Sequence, residues 1–309
     1  MSKPPKPKYR TTNWSAYNES LRERGALLLW SDKDMEWAGA PSGKRGCSPS
    51  FSDAAVQFCL MIKNLYGLAL RQTTGMVRSL LKLAGLDWDM PDCSTLSRRH
   101  KHLQATLTHQ RRGEALHLLV DSTGIKMLGE GEWKRKKHGA DYRRQWRKVH
   151  LGIDAQTLEV RAIEVTANSV GDAPMLPALL EQIPPDEPIE SVGADGAYDT
   201  KACHAAIASR GGERADSRAQ ERETVEGSGD ARARNEILRT TYRLGRAIWK
   251  KWSGYHRRSL VETKMRCFKL LGERVMARDF DRQVAELKIR AALLNRFTQL
   301  GTPQTVRAA

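Results

Sequence analysis

The stretch Leu116-His-Leu-Leu-Val-Asp121-Ser-Thr-Gly124 marks a change of period in the chain. Upstream of it, apolar residues recur at helical spacing. Here a run of them ends on a carboxylate, the pattern of a central strand that presents an acid at its carboxyl end. Downstream, Trp146-Arg-Lys-Val-His-Leu-Gly-Ile-Asp154 and Leu158-Glu-Val-Arg-Ala-Ile-Glu-Val165 alternate as strands do, and Asp154 to Thr157 reads as the hairpin turn between them. A helix is predicted around Pro174 to Ile183. It is followed by a short strand, Ile189 to Ala194, that ends in a second acid, Asp195, and then by a helix from Thr200 to Ser209.

Three strands, a helix and a fourth strand bearing another acid is the order of the ribonuclease H-like fold. The expected class is therefore an α/β domain, a mixed sheet flanked by helices. Working outward toward the amino terminus, the segments from Trp14, from Ser52 to Gly67, from about Leu70 to Leu83, and from Ser94 into the His102 region read as short helices with tight connections. They predict an all-α, helix-turn-helix-like domain ahead of the sheet. The predicted organisation is a basic disordered arm over 1–12, the helical domain over 13–112, the α/β domain over 113–300 and a tail over 301–309.

The chain has 309 residues, 40% hydrophobic, enough for a real apolar core. Its 52 Lys and Arg against 36 Asp and Glu leave a formal charge of +16, which points to a polyanionic partner. The five widely spaced cysteines exclude a disulfide framework and a zinc module. No apolar stretch approaches the length that spans a bilayer, and no signal peptide is evident, so the expected compartment is the cytoplasm and no membrane partner is expected.

In the helix that begins at Ser94, small hydroxyl residues fill the first turn, with Arg98, Arg99 and Lys101 behind them. That is suited either to a recognition helix meeting phosphates and base edges or to a solvated basic face. Asp121 and Asp195 each fall where a predicted strand gives way to a loop. They are placed either to hold a divalent cation or to cap the turn that follows. In Tyr255-His-Arg-Arg-Ser-Leu-Val-Glu-Thr-Lys-Met-Arg-Cys-Phe-Lys269, helical spacing puts Tyr255, Arg258, Glu262 and Lys269 on one face beside an apolar stripe of Val261, Met265 and Phe268. The segment Trp133 to Lys148 carries eight Lys or Arg against one Asp, interleaved with Trp133, Tyr142 and Trp146. It suits phosphate contact with stacking on unpaired bases, or a solvated basic hairpin.

Asp121-Ser-Thr-Gly, Asp195-Gly-Ala-Tyr-Asp and the spacing Tyr255-x2-Arg258-x3-Glu262-x6-Lys269 resemble the DDE transposases of bacterial insertion sequences. The last of these is similar to the signature of the insertion-sequence-four and insertion-sequence-five groups, and the likeness to the latter runs over most of the chain from about residue 14. The resemblance implies that Asp121, Asp195 and Glu262 are the catalytic acids and ligate two Mg2+ ions, with Mn2+ as a substitute. It also implies that Tyr255, Arg258 and Lys269 grip phosphates near the element's end. The partners implied are double-stranded DNA, as terminal inverted repeats and as target, and further copies of the chain in a synaptic complex near the nucleoid. Two alternatives share these residues: a catalytically impaired copy that only binds DNA and represses, and a ribonuclease H-like nuclease that cuts without joining. One departure from the family's pattern stands out. Gly211 to Asp230 contains one Val and many charges, as two compensating frameshifts would leave it, and predicts that the fifth strand of the sheet is missing.

Overall fold

The computed structural model describes residues 9–26, 35–41, 43, 48–110, 113–127, 146–211, 213–215, 239–240, 242–243, 245, 248 and 255–307, with the backbone alone at 213–215, 255, 256 and 307. They fall into two compact units, residues 1–104 with 295–309, and residues 105–294.

In the first unit, helices α1 (Trp14–Glu23), α2 (Asp53–Tyr66), α3 (Leu70–Leu83) and α4 (Cys93–His102) follow the predicted order. Their ends have chemical causes. Ser52 caps α2 by accepting from the Ala55 N–H at 3.0 Å, and Gly67 closes it with φ 62, a conformation that favours glycine. Asp92 caps α4 through the Ser94 N–H at 2.8 Å. The buried faces of α2, α3 and α4 bring Val56, Ile62, Val77, Leu81 and Leu96 into a common interior. Trp37 stacks on Trp88 with ring centres 5.1 Å apart and donates its Nε1–H to the Asp89 carbonyl at 2.7 Å.

The expected basic arm is ordered from Tyr9 onward. Strand β1 (Tyr9–Thr11) pairs antiparallel with a strand in the expected tail, Thr305–Arg307, with Thr11 opposite Thr305. Arg24 and Asn13 reinforce this by donating to the carbonyls of Gly301 and Thr302 at 2.7 and 2.9 Å. Composition marked the amino-terminal segment as unable to bury anything. The ladder that orders it is made by backbone groups nearly three hundred residues apart, which composition does not register.

The second unit is a mixed sheet flanked by helices. Strands β2 (Leu116–Met127), β3 (Trp146–Asp154), β4 (Val160–Ala167), β5 (Ile189–Gly193) and β6 (Glu213–Ala215) lie in the order β4-β3-β2-β5-β6, and β7 (Arg274–Val275) joins the far end of β2. β3 runs antiparallel to β2 and β4, while β5 and β6 run parallel to β2 and to each other. Helices α5 (Leu176–Glu181) and α6 (Lys201–Ser209) supply residues to one core, with Leu118, Val120 and Val192. Helices α7 (Ser259–Leu270) and α8 (Phe280–Leu300) supply the other, with Leu119, Ile125, Val149 and Leu151. The two cores follow the alternation of β2, whose even and odd residues face opposite ways.

Three expectations are corrected. The fifth strand is present: Glu213–Ala215 pairs parallel with Ser191–Gly193 inside the segment expected to lack it. It is only three residues long and lies at the end of the sheet order, where backbone hydrogen bonding suffices without strand-forming side chains. The boundary between the units falls at residue 104 rather than 112, because Leu107 packs on the α7 side of the sheet and the Gln110 N–H donates to Glu159 at 2.9 Å. Asp121 does not end its strand either. β2 continues through Ser122 and Thr123 to Met127 because β3 pairs with it as far as Lys126 opposite Trp146.

Candidate active site

Parallel pairing between β2 and β5 stops at Leu119 opposite Gly193. Asp121 and Asp195 each lie two residues beyond that last pair, Asp121 still within β2 and Asp195 at the turn that follows β5. Asp121 shares its parity with Leu119 and Ile125, so it faces the side of the sheet covered by α7. On that helix Val261, Met265 and Phe268 are buried against the sheet, which holds Glu262 at the rim of the same face. The acids of three elements therefore converge because of two ordinary causes, a strand register and an amphipathic helix.

The electrostatics agree. Burial pushes the Asp121 carboxyl above the usual carboxylate range. The Ser122 N–H, which donates to Asp121 Oδ1 at 2.7 Å, opposes that shift; the negative charge of Asp195 adds to it, the Arg258 guanidinium opposes it and Glu262 adds to it. Asp195 also caps the short 3-10 turn Gly196–Tyr198, its Oδ1 accepting from the Ala197 N–H at 2.9 Å. Asp195 thus makes the turn cap, one of the two roles set out above, while its charge also acts on Asp121.

Tyr255 to Arg258 form a 3-10 turn leading into α7 rather than its first α-helical turn. The Tyr255 side chain lies outside the described residues. Arg258 donates from Nη2 to Glu262 Oε1 at 2.5 Å, and Lys269 lies half-buried near the end of the helix. Trp146 is exposed, with its indole lying over Gly124: a Cβ on that glycine would come within 3.1 Å of the ring. The basic stretch from Trp133 to Gln145 lies outside the described residues. In the helical unit Arg98 and Lys101 are exposed on α4, but Arg99 is turned inward, donating to the Phe51 carbonyl at 2.9 Å and to Asp53 at 2.6 Å. Arg99 braces the start of α2 in this way.

A polar cluster that the sequence reading passed over lies on the other face of the sheet. Lys148 pairs with Asp172 at 2.8 Å. His150, fully buried and opposite Ser122 in the ladder, has Nδ1 3.4 Å from the same carboxylate and Nε2 3.0 Å from the Thr166 hydroxyl. Burial, opposed by Asp172 and aided by Lys148, pushes His150 down to about 4, so the imidazole is neutral at pH 7 and its contact with Asp172 is not an ion pair. The buried Tyr198 phenol is raised by burial first and then by the charges of Asp172, Asp121 and Asp195, which links this cluster to the two acids. The signal was present in Lys148-Val-His-Leu151: polar residues alternate with apolar ones on a strand whose two faces are both covered.

Asp121, Asp195 and Glu262 are the hard oxygen donors that Mg2+ takes, and like charge gathered around a buried carboxyl is what a dication compensates, so the donor set fits that ion. Among the described residues no three His, Cys, Asp or Glu side chains stand close enough together to form a ligand cluster as they are, and Glu262 is engaged by Arg258. No helix among the described residues is long and apolar enough to cross a membrane.

Comparison with known proteins adds the following. One family model described as a transposase DDE domain matches residues 22–130, and another of the same description matches residues 112–296, which span all three acids. Among solved structures, a chain of the simian T-cell lymphotropic virus intasome in complex with the PP2A regulatory subunit B56 gamma, determined by cryo-electron microscopy, is matched at 14% identity. The match covers 70% of this chain and 74% of that one with a TM-score of 0.23, too low to establish a common fold. With more than half of the chain matched by the second model, this chain belongs to the transposase DDE domain family.

Proposed function

We propose that the chain is an insertion-sequence transposase, of the insertion-sequence-five type, that binds the terminal inverted repeats of its own element, cuts there and joins the freed 3'-hydroxyl to target DNA. The observation that carries this reading is the placement of Asp121 and Asp195, each two residues past the last parallel pair of β2 and β5, with Asp121 on the sheet face covered by the helix that bears Glu262. Acids from three separate elements in one field suit phosphoryl transfer, whose transition state spreads charge over the phosphoryl oxygens. Two Mg2+ ions bound by Asp121, Asp195 and Glu262 would supply Lewis-acid stabilisation to the attacking and leaving oxygens of an in-line displacement, with Mn2+ as a substitute.

In the first step a water oxygen attacks phosphorus and the bond to the 3'-oxygen breaks, leaving a 3'-hydroxyl on the element. In the second the oxygen of that hydroxyl attacks a target phosphorus and loses its proton, while the bond to the target strand's 3'-oxygen breaks and that oxygen leaves as a new 3'-hydroxyl. Tyr255, Arg258 and Lys269 hold phosphates of the end, a task for which the forked guanidinium is suited. The helical unit acts as a helix-turn-helix-like end reader, with Arg98 and Lys101 on exposed positions of α4 meeting the DNA backbone. Trp146, lying exposed over Gly124 at the foot of the basic stretch, offers a stacking surface to bases unpaired at a cut end. The net charge of +16 suits a polyanionic partner, and pairing two ends calls for more than one copy of the chain.

The test is Ala substitution of Asp121, Asp195 and Glu262 singly, with duplexes carrying the DNA that flanks the gene. Each variant loses Mg2+-dependent cleavage and keeps end binding. Substantial cleavage by any one of them removes that residue from the site.

A further inference from the structure

Arg258 and Glu262 are four residues apart across the join between the 3-10 turn and α7, and their side chains meet at 2.5 Å. An exposed pair of this kind contributes little to stability, but here the Arg258 side chain is 22% exposed against 53% for Glu262. It does not lean out into solvent: its charge reaches Asp121 on β2 as well. One guanidinium thus holds Glu262 directly and lies within electrostatic reach of Asp121.

We propose that Arg258 is a positioning residue that holds Glu262 in the DNA-free chain and hands it over when a phosphate of the DNA end takes the guanidinium, so that metal ligation by Glu262 depends on bound DNA. The inference rests on the three-acid reading above and adds an order of assembly to it. Its chemistry is competition for one fork of donors. A planar guanidinium binds a carboxylate and a phosphate oxygen pair with the same geometry, so it cannot serve both fully. While Nη2 holds Oε1, the charge of the guanidinium opposes a cation brought to the same carboxylate, so Glu262 ligates metal weakly until the arginine is drawn away. Phosphate and cation therefore help each other onto the site, and the coupling is reciprocal: DNA raises metal affinity by the factor by which metal raises DNA affinity. A chain built this way leaves its cutting centre incomplete until the end of the element is in place.

The experiment reads Mn2+ binding by electron paramagnetic resonance on the full-length chain, with and without a flanking-end duplex already cut at the element's end and terminated by a dideoxynucleotide, which can be neither cut again nor joined. In the wild-type chain the duplex tightens Mn2+ binding about tenfold. Arg258→Met binds Mn2+ about tenfold more tightly than the wild type without DNA and gains less than twofold on adding it. The double variant Arg258→Met, Glu262→Gln loses that gain. A purely structural role for Arg258 predicts the opposite sign, weaker Mn2+ binding in Arg258→Met. That result overturns the proposal, as does wild-type Mn2+ affinity indifferent to the duplex, a measurement that needs no variant to fold. Mn2+ binding that survives both Asp121→Ala and Asp195→Ala instead overturns the three-acid reading, and the exchange with it.

Discussion

His150 gives the second unit a defined sensitivity to acid. It is fully buried, its Nε2 meets the Thr166 hydroxyl at 3.0 Å, and burial pushes its protonation down to about 4, against 6.5 for the free side chain. The folded pKa lies below the unfolded one, so the unfolded chain takes up the proton first. Stability from this group is fully present above pH 6.5 and falls as pH drops toward 4. A gap of about 2.5 pH units corresponds to about 3 kcal/mol at the acid limit, of which about 2 kcal/mol is lost by pH 5. For a unit of this size that is a fall of roughly 4–8 °C in Tm between pH 7 and pH 5. His150→Asn keeps a neutral polar group in place without titrating. Melting curves of the wild type and this variant at pH 7, 6, 5 and 4.5 should start with the variant less stable and converge as the pH falls. Parallel Tm profiles for the two proteins over that range would refute the reasoning.

Further outcomes are expected on the same footing. Phe268→Ala removes a fully buried ring from beneath the helix that carries Glu262, and should cost about 3–5 kcal/mol of stability in urea unfolding. Arg99→Ala loses the tie to Asp53 and the Phe51 carbonyl and should lower stability by about 1 kcal/mol without changing the salt dependence of DNA binding; Arg98→Ala should leave stability unchanged and reduce the slope of log affinity against log salt by about 1. Gly124→Val drives a side chain into the Trp146 indole, so tryptophan fluorescence should shift and quenching by iodide should increase; an unchanged spectrum would mean that the ring does not lie there.

The sequence carried the elements that local rules determine. β3 was legible over its full length, Trp146–Asp154, because alternation holds throughout, and α3 ran from Leu70 to Leu83 as its periodicity required. What escaped was set by distant pairing. The extension of β2 through Asp121-Ser-Thr-Gly depends on β3, since those residues alone read as a loop. β6 holds its place by backbone bonds to β5 with side chains that have no strand preference. The acids were legible as a pattern, whereas the partners that tune them were not: Asp172 lies 24 residues from Lys148, and Asp53 lies 46 from Arg99. A spacing motif finds residues on one element, but ion pairs between elements need the fold first.

The account's central claim is that Asp121, Asp195 and Glu262 carry out two successive displacements at phosphorus. The measurement closest to it is a labelled-end assay: a flanking-end duplex with a labelled 3' strand, supercoiled target DNA, Mg2+ and the full-length chain, with Glu262→Gln as the matched control. The amide keeps the shape of the side chain and loses the charge that a cation requires. The account predicts covalently joined, labelled target with the wild-type chain and neither cut nor joined product with Glu262→Gln. Cut ends that are never joined, or joining that persists in Glu262→Gln, would contradict it.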